Sequence, residues 1–176
     1  MKKILETERL MLREMEEEDF ASLYRFLSDP LTMQHYPQPY DEKGARRWMD
    51  WSLENYKTFG FGLWAVILKE TNEMIGDCGI TMQIIHGHIK PEVGYHIHAD
   101  YWGHGYGKEA AIACRDWCFE NSTFQTVYSY MDEENIPSQK TAMANGMSCV
   151  DEYQDGDEKL KVYAIDRETW QKIKKQ

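Results

Sequence analysis

Gly103, Gly105 and Gly107 alternate within Tyr101–Ala110, YWGHGYGKEA, where a strand-like run gives way to a helix-like one. Glycine loses more backbone entropy on folding than any other residue, so this density needs a reason. One reason is chemical. The first N–H groups of a helix are unpaired and carry a positive partial charge, and a backbone without Cβ lets a phosphate approach them. Lys108 adds a cation in the same turn. The other reason is mechanical, a turn that only lets the helix pack tightly, and the stretch by itself fits both. Two familiar phosphate loops do not fit. A P-loop needs glycine five residues before its Gly-Lys pair and Ser or Thr after it, where this chain has Trp102 and Glu109. The dinucleotide fingerprint needs a third glycine where Lys108 stands.

The histidines form a second group. His86-Gly-His88 and His96-Ile-His98 are each spaced i, i+2, which puts each pair on one strand face, and a hairpin could gather all four. No ligand motif of stricter spacing accompanies them, so no metal is expected. Cys78, Cys114, Cys118 and Cys149 contain no C-x-x-C pair and read as buried thiols, with Cys114 and Cys118 on one helix face.

The elements that must position these groups follow from the periodicity. Arg9–Arg13 alternates like a strand. Glu16 to Asp19 precede a helix with the stripe Phe20, Leu23, Tyr24 and Leu27, stopped by Pro30. A second helix follows Asp41, with Ala45, Trp48, Met49, Ser52 and Tyr56 on one face. Strands are predicted over 62–68, 74–81 and 91–98, a helix over 107–120, and a strand over 126–130. A short helix over 135–145 ends at Gly146, and two strands near 148–153 and 160–165 flank the turn signal Asp155-Gly156. The order predicts a mixed α/β (α+β) fold in one domain, residues 1–176.

Thirty acids against twenty bases give a formal net charge of −10. That argues against nucleic acid as a partner, since such binding rests on Lys and Arg contacts to phosphate, and it suits a cationic one. No apolar run is long enough to cross a bilayer, and no apolar segment follows the lysines of MKKILETERL, so neither membrane association nor a signal peptide is expected and a cytoplasmic location is.

EVGYHIHADYWGHGYGKEA resembles the acyl-CoA-binding core of the GNAT superfamily of N-acetyltransferases. TERLMLREMEEEDF is similar to the first strand and helix of its Rim-type branch, which includes ribosomal-protein N-terminal acetyltransferases. Asn135-Ile-Pro-Ser138 through Asn145-Gly146-Met147 is similar to that branch's N-x-x-S … G-F helix. Trp102 replaces the wider superfamily's Gln or Arg, and Met147 the usual phenylalanine. The resemblance covers nearly the whole chain. It implies a mostly antiparallel sheet flanked by helices, with acetyl-CoA as co-substrate.

The resemblance also implies roles. Gly103, His104, Gly105, Tyr106, Gly107 and Lys108 cradle the pyrophosphate, and backbone near Ile97, His98 and Ala99 holds the pantetheine. Asn135 caps its helix and touches the cofactor. The amine attacks the thioester directly, without a covalent enzyme intermediate. Glu92, on the strand feeding the loop, is the favoured base, with Asp77 and His96 in reserve; partial desolvation would bring its pKa into a useful range. The tyrosine acid common in the superfamily falls at Ala142, leaving Ser138 to donate to the departing thiolate. The reading is an acetyl-CoA-dependent N-acetyltransferase acting on a protein N-terminus or small amine, as a monomer or homodimer. The alternative is an acyl-CoA-binding or sensing domain without turnover.

Overall fold

In the computed structural model, which describes residues 1–176, the chain runs β1 (Lys3–Glu6), β2 (Leu10–Arg13), α1 (Phe20–Leu27), α2 (Glu42–Phe59), β3 (Leu63–Leu68), β4 (Glu73–Ile85) and β5 (His88–Ile97). It continues through α3 (Tyr106–Asn121), β6 (Thr126–Asp132), α4 (Ile136–Ala144), β7 (Ser148–Asp155), β8 (Glu158–Asp166) and α5 (Arg167–Lys174). All strands join one sheet in the order β1-β2-β3-β4-β5-β6-β8-β7. Every neighbouring pair is antiparallel except β5 and β6, which run parallel and share a single register pair, Glu92 with Tyr128.

Local chemistry explains the helix ends. The Asp41 side chain accepts from the Gly44 N–H at 2.7 Å and starts α2, which stops at Gly60 with φ of 78°. Asn135 does the same for α4 by accepting from the Ser138 N–H at 3.2 Å. All six residues of β3, LWAVIL, are buried, so this strand is covered on both faces. Strand alternation sends the β5 side chains two ways. Tyr95 and Ile97 face α3 at Gly107, and His96 faces Trp48 of α2.

Two elements escape the sequence reading. β1 is four residues within a lysine-rich start, and α5 buries only Trp170. A third difference matters more. The strands predicted over 74–81 and 91–98 leave residues 82–90 between them, yet β4 and β5 form one long hairpin whose two-residue turn is His86 (φ 47°) and Gly87 (φ 79°). Its register runs unbroken from Ile85 opposite His88 to Gly76 opposite Ile97. This corrects the gathering of four histidines. His88 and His96 lie on the same strand eight residues apart, roughly 26 Å at about 3.3 Å per residue. No group of three or more His, Cys, Asp or Glu comes close enough to hold a metal.

Candidate functional site

The glycine loop is held from the opposite edge of the sheet. Arg9, just before β2, donates from Nη1 to the His104 carbonyl at 2.8 Å and from Nε to Glu109 Oε2 at 2.7 Å, and its guanidinium lies 4.6 Å from the centre of the Tyr106 ring. Glu109 also accepts from the Thr7 hydroxyl and the Arg9 N–H. Burial works against the Glu109 charge, but these donors hold its carboxyl below the usual range. The acid in the first turn of α3 is thereby neutralised on the spot.

Gly103 and Gly105 have φ of 84° and 79°, a left-handed conformation that side chains resist, and a Cβ at Gly103 would meet nothing within 4 Å. Gly105 is the N-cap of α3 and has no side chain to cap it, so the first N–H groups of the helix lack a side-chain acceptor. The missing Cβ of Gly107 points instead at Tyr95 and Ile97, at 3.5 and 3.6 Å. The three glycines therefore divide their work, two shaping the loop and one seating the helix on β5. Lys108 is exposed beside them. An uncapped helix start behind an open glycine turn fits a pyrophosphate.

The strands part beside it. Ser129 donates its hydroxyl to the Val93 carbonyl at 2.8 Å, beside the single register pair that joins β5 to β6. By alternation Tyr95 and Ile97 turn their backbone groups toward the gap. His98 and Ala99, assigned to the pantetheine by resemblance, spend theirs within the protein. The His98 N–H donates to the Ile75 carbonyl at 2.9 Å, and the Ala99 N–H to the Thr32 hydroxyl at 2.9 Å. The His98 ring is buried and accepts from the Asp100 N–H at 3.1 Å. Trp102, in the place of the superfamily's Gln or Arg, donates Nε1 to the Ile97 carbonyl at 2.7 Å and locks the strand end.

Tyr95 was not singled out from sequence. Its hydroxyl is buried without a hydrogen-bond partner. Burial raises its pKa, and the neighbouring Ser138 and Thr141 hydroxyls of α4 oppose the rise. An orphaned hydroxyl between β5 and α4 is the kind of donor a thioester group bound in the gap would satisfy.

Glu92, Gly94 and His96 share the other face of β5. Glu92 sits where the strands part, with Oε2 accepting from the Tyr130 N–H at 3.2 Å. A Cβ on Gly94 would lie 3.3 Å from Glu92 Oε1, so the absent side chain gives the carboxyl its place. Burial outweighs that single hydrogen bond and pushes the Glu92 carboxyl up to about 8. His96 stands directly opposite Asp77 in the ladder. Its Nδ1 is 2.7 Å from Asp77 Oδ1, its Nε2 is 2.5 Å from the Tyr36 hydroxyl, and Trp48 Nε1 donates to Asp77 Oδ2 at 2.9 Å. The two residues held in reserve as bases are thus one unit. The hairpin register would have revealed it had the turn at His86-Gly87 been recognised. A Cβ at Gly76 would come within 2.0 Å of the His96 carbonyl, so glycine there is what lets β4 press against this part of β5. Tyr36, Tyr40, Trp48 and Trp51 form an aromatic wall beyond His96, with successive ring centres 5.3 to 6.4 Å apart.

The acetyltransferase (GNAT) domain pattern matches residues 9–148. The chain belongs to that family. The GNAT chain is 38% identical over 144 residues to the uncharacterized protein YkkB of Bacillus subtilis, covering 81% of this chain and 84% of that one. It is 34% identical over 142 residues to the uncharacterized N-acetyltransferase p20 of Bacillus licheniformis, 77% of each. Among solved structures, an acetyltransferase from Agrobacterium tumefaciens superposes with a TM-score of 0.82 at 30% identity, covering 95% of both chains. RimL, a ribosomal alpha-N-protein acetyltransferase in complex with coenzyme A, shares the fold with a TM-score of 0.76 at 17% identity, over 94% of this chain and 98% of that one. The GNAT chain is thus an enzyme, an acetyltransferase transferring an acyl group to an amine, with no helix long and apolar enough to cross a membrane.

Proposed function

We propose that this enzyme takes its acetyl group from acetyl-CoA and passes it to a primary amine that arrives as a cation, with Glu92 as the base. The carrying observation is the position of Glu92, a buried carboxyl at the point where β5 and β6 separate, on the face that α1 and α2 overhang. The pyrophosphate would rest on the Gly103–Lys108 turn and α3 start, with Arg9 holding the loop in shape. The pantetheine would follow the gap along Tyr95 and Ile97, with Asn135 at its far side. Acetyl-CoA supplies an activated acyl carbon; the residues supply position and proton handling. The Ser138 and Tyr95 hydroxyls, neighbours between α4 and β5, would be the donors available to a departing thiolate.

A cationic acceptor is supported by acid placement. Asp41, Glu42, Asp50 and Glu54 are exposed on or beside α2. Asp155 and Glu158, at the β7–β8 turn, are close enough to raise the pKa of the Tyr130 hydroxyl after burial and Glu92 have done so. Asp151 is less available, because its Oδ2 pairs with His86 Nδ1 at 2.6 Å. The test is coenzyme A release with a panel of amines, including small polyamines and basic peptide N-termini, with mass analysis of the acceptor. Binding of acetyl-CoA without release for any amine would favour a sensing domain instead.

A further inference from the structure

We propose that Tyr36, His96 and Asp77 form a second proton route beside Glu92, with the Tyr36 hydroxyl as the catalytic group and His96 and Asp77 as its positioning residues. The inference rests on the acetyl-transfer reading. An acceptor that enters as an ammonium ion and leaves as an amide must lose two protons from nitrogen. One ends on the sulfur of coenzyme A and the other in solvent. Glu92 holds one proton at a time and the sulfur can take none until its bond to carbon breaks, so a second acceptor on the same face lets both protons leave nitrogen, and the structure has one.

The hydrogen bonds set its direction. Asp77 is fully buried and takes the Trp48 N–H on one oxygen and His96 Nδ1 on the other. Nδ1 against a carboxylate must carry the proton, so Nε2 is the acceptor, and the Tyr36 O–H, 2.5 Å away, donates to it. The free lone pairs of Tyr36 then point away from His96. Tyr36 comes from the segment between α1 and α2, and although 38% of the residue is exposed its hydroxyl is turned inward, toward His96 Nε2 and the charge of Glu92.

The groups facing that hydroxyl are Glu92 and His96 from β5, Asp77 from β4, Tyr40 from its own segment and Tyr130 from β6, with Trp48 of α2 packed behind. Burial foremost, then the charges of Glu92 and Asp77, hold the phenol well above its ordinary value, so it stays neutral and works by exchange. The ammonium first gives one proton to Glu92. As the carbon–nitrogen bond forms and the carbon–sulfur bond breaks, the second nitrogen proton passes to the Tyr36 oxygen, and the proton held on Glu92 goes to the coenzyme A sulfur. The Tyr36 proton passes to His96 Nε2, and the imidazolium is held against the Asp77 carboxylate. Once product has left and water has entered the site, the same steps in reverse return that proton to solvent.

Two measurements test the route. In protein labelled with ¹⁵N-histidine, with the His96 signals identified by their loss in His96→Gln, the expected tautomer is Nδ1–H. Tyr36→Phe should move the Nε2 signal toward that of a free acceptor. In steady-state assays Tyr36→Phe should lower kcat about 10²-fold for an amine that is cationic at the assay pH, with KM changed far less. The loss should be much smaller for an amine of low pKa, which enters neutral and sheds one proton. An Nε2–H tautomer, an Nε2 signal indifferent to Tyr36→Phe, or equal losses for both amines overturns the route while the transferase reading stands. Absence of coenzyme A release from the unaltered enzyme with every amine overturns that reading and the route with it.

Discussion

Replacing Glu92 by glutamine should change how stability depends on pH, by an amount the structure sets. An ordinary glutamate titrates at 4.5, whereas in the folded protein the Glu92 carboxyl is pushed up to about 8 by burial, against one opposing hydrogen bond from the Tyr130 N–H. The folded state therefore keeps a proton that the unfolded chain releases. Below pH 4.5 both states are protonated and the stabilisation is fully present. Between 4.5 and about 8 only the unfolded chain ionises, and stability falls by ~1.4 kcal/mol per pH unit. Above about 8 the fall levels off. Across that window the loss sums to roughly 5 kcal/mol, comparable with the whole stability of many small proteins. Glutamine stays neutral, fills the same space beside Gly94 and lacks the descent.

The assay is urea denaturation of both proteins from pH 5 to pH 9. Glu92→Gln should gain several kcal/mol relative to the parent across that range, starting near parity or somewhat below it. Other titrating groups cancel in the difference, so a difference that does not move with pH would refute the burial of an ionisable carboxyl at this position. The same variant should lose ~10²–10⁴ in turnover, the usual cost of a missing general base.

Three further outcomes follow from the proposed cofactor loop and acidic rim. Gly105→Val should abolish acetyl-CoA binding by calorimetry and cost roughly 1–3 kcal/mol in stability, because a β-branched residue resists the left-handed turn; unchanged affinity would contradict the cradle. Arg9→Ala should weaken acetyl-CoA binding about tenfold with little effect on KM for the amine, since Arg9 holds the His104 carbonyl and Glu109 but lies across the sheet from Glu92; a change confined to the amine would contradict that assignment. Raising salt should lower kcat/KM for a cationic amine more than for a neutral isostere, as a Debye length of about 8 Å at physiological ionic strength screens a negative rim; equal responses would remove the steering.

The main elements were legible because they depend on local patterns. The stripe Phe20, Leu23, Tyr24 and Leu27, the Asp41 and Asn135 caps and the Gly146 stop each carry their signal within a few residues, and the glycine turn carries its own. The site was legible only in part, because it depends on pairing. Glu92 could be placed on the right strand, but its contact with the Tyr130 N–H arises where two parallel strands part, which no local pattern records. Asp77 and His96 were both noticed, yet their partnership follows from the hairpin register, and His86-Gly87 is a turn that histidine disguises. Tyr36 lies sixty residues from His96, and Arg9 a hundred from Glu109. Their meetings are set by sheet order and helix packing. The orphaned Tyr95 hydroxyl needed coordinates, since a tyrosine in a strand is ordinarily core.

The most direct test of the central claim is the pH dependence of coenzyme A release with a cationic amine, for the unaltered enzyme and Glu92→Gln side by side. Activity in the unaltered enzyme should rise with pH toward a plateau as the Glu92 carboxyl, about 8 in the free protein, gives up its proton. Glu92→Gln should bind acetyl-CoA as before and lose both the turnover and that ionisation from the profile. An unchanged profile and rate in Glu92→Gln would contradict the claim that this carboxyl is the base.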